Sequence, residues 1–94
     1  MSQRTDIALP KLDALLAALE TIEKSPSREA VIEDAQALRR AVASFHMEAI
    51  RFRMFNVDRG LKLSGDHPEA RRIYDELRHM LEELGYHTRS HTAP

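Results

Sequence analysis

The stretch PSREAVIEDAQALRRAVASFHMEAIRFRMFNVDR, residues 26–59, contains no Gly and no Pro after its first residue. Within it Val31, Ala35, Leu38, Val42, Phe45, Ala49 and Phe52 recur alternately four and three apart, the spacing of a helix lying along a partner at a shallow angle. Met47, Ile50, Met54, Val57 and Leu61 form a second row, which at 100° per residue lies roughly 160° round from Phe45. The pattern predicts a continuous middle helix over residues 26–59, about 51 Å long. A compact 94-residue domain is only about 32 Å across. The helix therefore overshoots the domain, and its second apolar face needs a cover. The expectation is a three-helix chain that completes a bundle by dimerisation, with Phe45, Ile50, Phe52, Met54, Val57 and Leu61 at the interface. The alternative is a monomeric four-helix bundle in which the stretch breaks near Ser44 or over residues 56–60. No helix breaker supports an interruption at Ser44, whereas Gly60 supports a helix end.

The flanks supply the shorter helices. Pro10 suits an opening turn, because its missing donor has no partner there. Leu12, Leu15, Leu16, Leu19 and Ile22 then keep helical spacing, which predicts a helix over about residues 10–24. Ser25 is placed to cap the next helix and Pro26 to occupy its first position. Asp66, with Glu69 three residues on, reads as the start of the last helix. Its apolar face is Ala70, Ile73, Tyr74, Leu77, Leu81 and Leu84. Gly85 suits a left-handed end, with Tyr86 covering Leu81. The expected organisation is one helical domain over residues 1–86 and a flexible tail over residues 87–94.

Composition narrows the chemistry. The chain has no cysteine, which removes disulfides, thiol nucleophiles and thiolate metal sites. It carries no apolar run long enough for a membrane span and no secretory leader pattern, so a cytoplasmic protein without membrane contact is expected. No serine sits in a nucleophile elbow, and Gly60 and Gly65 lack a phosphate-loop pattern.

Glu76 and His79, three apart, project to one side of a helix as in bundle metal sites, with Glu48 and His46 as conceivable further ligands. They lie beside the apolar row, which favours a solvated face. His87 and His91 share a cation only if the tail is helical, against Gly85. No cofactor is expected. The formal net charge of -1 conceals acidic ends around a basic middle. Arg40, Arg51 and Lys62 are eleven apart, so along one helix they share a face. They are the candidate polar partner contacts.

These features point to a small non-enzymatic helical module for protein–protein interaction or regulation, one that self-associates. The alternatives are a metal-binding bundle and a nucleic-acid-binding protein using the basic stripe.

Overall fold

In the computed structural model, which describes residues 7–65 and 67–85, the middle stretch is two helices rather than one. The described chain is all-helical, with α1 (Ala8–Glu20), α2 (Pro26–Ala43), α3 (Met47–Leu63) and α4 (Pro68–Glu83). Tyr86, the proposed tail over residues 87–94 and the Asp66 cap lie outside the described residues.

The continuous helix and the count of three give way at residues 44–46. Phe45 takes φ 61°, in the left-handed region that L-residues with a Cβ rarely enter. Its N–H donates to the Val42 carbonyl at 3.2 Å, and the next N–H, that of His46, reaches back to the Ala41 carbonyl at 3.0 Å. This pair is a Schellman ending with phenylalanine in the place glycine usually takes. The Ser44 hydroxyl adds a bond to the Arg40 carbonyl at 2.9 Å. His46 then begins α3: its carbonyl accepts from Ile50 at 2.8 Å and its Nδ1 from the Ala49 N–H at 3.4 Å.

The left-handed residue costs about 1–2 kcal/mol. The turn it makes carries Ile50, Met54, Val57 and Leu61 into the core, where each is at most 3% exposed. Burying such a side chain contributes about 1.5–3 kcal/mol, so the bend is favoured several times over. The dimer is thus not needed to cover this row. Those four residues, assigned from sequence to an interface, belong to the chain's own core.

Ser25 and Pro26 act as the sequence predicts, the Ser25 Oγ accepting from the Arg28 N–H at 3.1 Å with proline in the first turn of α2. Gly60 does not. It sits inside α3 where the helix crosses α2 closely: a Cβ built on it would fall 2.6 Å from Val31 Cγ2. The missing side chain is a notch for a neighbouring helix.

Each helix packs on its neighbours in the ring α1, α2, α3, α4, although α3 and α4 approach more sparsely, and among the described residues the backbones of neither diagonal pair come close. One ion pair crosses every seam: Asp13 with Arg39 at 2.7 Å, Asp34 with Arg53 at 3.0 Å, Asp58 with Arg71 at 2.8 Å, and Glu76 with Lys11 at 2.9 Å. Exposed pairs of this kind contribute only about 0–1 kcal/mol each. Their placement fixes which turn meets which, while apolar burial supplies the stability. At the centre Tyr74 is buried, and its hydroxyl donates to the Met54 carbonyl at 2.9 Å.

Candidate interaction surface

The break at residues 44–46 also determines what α3 shows to solvent. With Ile50, Met54, Val57 and Leu61 turned inward, the opposite side of a helix of 3.6 residues per turn carries Phe52, Phe55, Arg59 and Leu63. Phe45 and Met47 are exposed at the turn that leads into it. Of the large apolar side chains left exposed in the described chain, only Ile7 lies outside residues 45–63; the others are Phe45 (43%), Met47 (46%), Phe52 (52%) and Leu63 (77%).

All three phenylalanines of the chain are therefore outside the buried core, Phe55 being partly covered. Phenylalanine is among the residue types most often buried. Here the core is filled instead by Leu, Ile, Val, Ala, Met and one Tyr. A chain with room for few large side chains places its phenylalanines on a single helix and its entry turn.

Arginines accompany the rings. The Arg53 guanidinium carbon stands 5.2 Å from the Phe52 ring centroid and that of Arg59 5.9 Å from the Phe55 ring, within the range of cation–π attraction. Arg53 is also tied to Asp34 of α2, so the Phe52 side of the face is anchored to the bundle. Arg59 forms no ion pair among the described residues. Charge on the outer side and flank of α3 is positive on balance: Arg51, Arg59 and Lys62 against Glu48 and Asp58, the last paired with Lys62.

The three cations expected to form one stripe are divided by the bend. Arg40 stays on α2, exposed, and lines a shallow polar groove with Glu33, Asp34 and Arg53. Arg51 and Lys62 remain on α3, Arg51 at 4.0 Å from Glu48 and Lys62 at 3.2 Å from Asp58. Their spacing of eleven described one face only for an unbroken helix. Of the expected interface residues, Phe45 and Phe52 are the two that face solvent.

The metal candidates are not brought together. Glu76 receives Lys11 at 2.9 Å and Arg72 at 3.0 Å, and the hydrogen bond from Lys11, helped by that from Arg72, holds its carboxyl below the usual carboxylate range. His79 stands 3.1 Å from Glu83, and Glu48 is in the first turn of α3. Among the described residues no group of three or more His, Asp or Glu is placed to hold a metal ion. His46 caps α3 from an exposed position, and His87 and His91 lie outside the described residues. No helix among the described residues is long and apolar enough to cross a membrane.

No family model, curated protein or solved structure matches this chain. The surface of α3 is thus read on its own chemistry. Sequence reasoning missed Phe55 and Arg59, although their signal was present: they continue from Phe52 at spacings of three and four. It becomes visible only once Met54 and Val57 are known to point inward.

Proposed function

We propose that the chain is a non-enzymatic helical interaction module that docks a partner protein on the outer face of α3. The observation that carries this reading is the exclusion of all three phenylalanines from the core of so small a bundle. Exposed aromatic side chains beside arginine are the residue types that dominate protein interfaces. The partner is a protein surface with apolar side chains ringed by carboxylates, complementary to Arg51 and Arg59. Face-to-face pairing of two α3 helices opposes these same cations, so charge disfavours a second copy there.

Nucleic acid is the weaker match. Arg53 and Lys62 are engaged by Asp34 and Asp58 and Arg40 is on another helix, which leaves few cations to follow a phosphate backbone. Self-association stays within the proposal with a different origin from completing the core, namely the bend between α2 and α3.

The test compares the native chain with Phe52→Ser and Arg59→Glu for a protein that co-purifies at fixed stoichiometry. Both substitutions are at surface positions and should change stability by about 0.5 kcal/mol or less, while removing the bound protein. Unchanged co-purification by both variants would overturn the assignment.

A further inference from the structure

The bend at residues 44–46 joins two helices that nothing else in the sequence requires to be separate. From residue 27 to residue 59 there is no Gly or Pro. The turn depends on Phe45 in the left-handed region at φ 61°, and on a cap in which His46 Nδ1 accepts from Ala49 at a long 3.4 Å. Phe45 and Met47, on either side of His46, are both exposed. Continuing α2 into α3 would return Phe45 to right-handed geometry. It would also give the N–H groups of residues 47, 48 and 49 the carbonyls of residues 43, 44 and 45 as helical acceptors.

A single chain cannot straighten without separating α3 and α4 from α1 and α2. Two chains can. We propose that this protein forms an exchanged dimer in which residues 26–63 are one continuous helix and the α3 and α4 pair of each copy packs on the α1 and α2 pair of the other. The α2–α3 and α4–α1 seams of the closed bundle are then remade between chains, while the α1–α2 and α3–α4 seams stay within each chain. The notch of Gly60 against Val31 and the ion pair of Asp34 with Arg53 are kept, now in trans. Only the hinge differs, which is why strain in a short connection favours exchange. The partner is a second copy received at the bundle's own α2 and α3 seam, leaving the outer face of α3 available to another protein.

Because the seams are common to both forms, the balance between them is set by the hinge and by concentration. Glycine at position 45 accepts the left-handed turn without steric cost. With two hinges per dimer, Phe45→Gly should weaken dimerisation on the order of a hundredfold. Phe45→Ala keeps the Cβ and its left-handed penalty while removing the ring, and should dimerise about as the native chain does.

The experiment is light scattering on separated species over a wide range of concentration for the native chain, Phe45→Gly and Phe45→Ala. It is paired with spin-label distances on Ser27→Cys/Leu63→Cys, in a chain with no other cysteine. Ser27 and Leu63 line the same small groove between α2 and α3, so the closed monomer gives a short distance. One continuous helix separates them by about 54 Å. A dimer showing the long intrachain distance when labelled chains are diluted with unlabelled ones, and disfavoured by Phe45→Gly alone, is expected. A native chain that stays monomeric at millimolar concentration, a dimer retaining the short distance, or equal dimerisation by Phe45→Gly would each overturn the proposal. Phe52→Ser leaves the exchange intact, so its failure and that of α3 docking are read separately.

Discussion

The close approach of α3 to α2 at Gly60 makes a prediction whose sign depends on one neighbour. Alanine at position 60 adds a Cβ 2.6 Å from Val31 Cγ2 and 3.6 Å from Val31 Cβ. Val31 is 2% exposed and, being β-branched in a helix, has one strongly preferred rotamer, so its methyl cannot swing aside. The helices must move apart, an overpacking cost of about 1–3 kcal/mol. Against this, Ala is favoured over Gly in a helix interior by about 1 kcal/mol. Gly60→Ala should therefore lower stability by up to ~2 kcal/mol, or shift Tm down by several degrees at about 4–8 °C per kcal/mol.

In a Val31→Ala background the colliding methyl is gone and only the propensity gain remains. There the same substitution should raise stability by up to ~1 kcal/mol. Urea unfolding of the four chains in the double-mutant cycle measures the difference directly, and a coupling of about 1–3 kcal/mol is expected. An equal stabilisation by Gly60→Ala in both backgrounds would refute the close approach, and with it the register of the α2 and α3 hairpin.

Other consequences are simpler. Ser25→Ala removes the acceptor for the Arg28 N–H and should cost about 1 kcal/mol in thermal or urea unfolding, with Ser25→Gly milder. Tyr74→Phe deletes a buried hydroxyl bonded to the Met54 carbonyl and should cost about 0.5–1.5 kcal/mol. Burial holds the Tyr74 phenol well above its ordinary value of 10.0. The folded state therefore keeps that proton longer than the unfolded state, and stability should fall as pH rises past 10. In a Tyr86→Phe chain, ultraviolet absorbance should show phenolate only as the protein unfolds. The hydrogen bond from Arg39 lowers the Asp13 carboxyl, as that from Lys11 lowers Glu76. Their contribution is present at neutral pH and is lost as pH falls, for Glu76 below its ordinary value of 4.5 and for Asp13 below its ordinary value of 3.8. Glu76→Gln should flatten the acid limb of a Tm-against-pH curve, more at low salt than at high salt.

The sequence was legible wherever a residue's local preference agreed with its place in the bundle. Ser25 and Pro26 mark a helix start in any context, and Gly85, at φ 101°, ends the last helix as its chemistry suggests. The row of Met54, Val57 and Leu61 was also visible as an apolar face. What covers that row was not, because this depends on the bend at Phe45, and phenylalanine carries no sequence signal for left-handed backbone. The bend is imposed by tertiary burial against a local cost. Gly60 was misleading for the converse reason: its lack of a side chain serves a neighbouring helix, while its own backbone stays helical. Once the bend is known, Phe52, Phe55 and Arg59 emerge as the outward face. The stripe of Arg40, Arg51 and Lys62 then separates, since its alignment assumed an uninterrupted helix.

If the outer face of α3 contacts a partner protein, a photo-crosslinking amino acid placed at position 52 captures that protein. A control carries the same group at position 14, where Ala14 is exposed on α1. Irradiation in the native cell should give a discrete protein adduct from position 52 that Arg59→Glu abolishes, and none from position 14. Adducts of equal yield from both positions, or none from position 52, would contradict docking on α3.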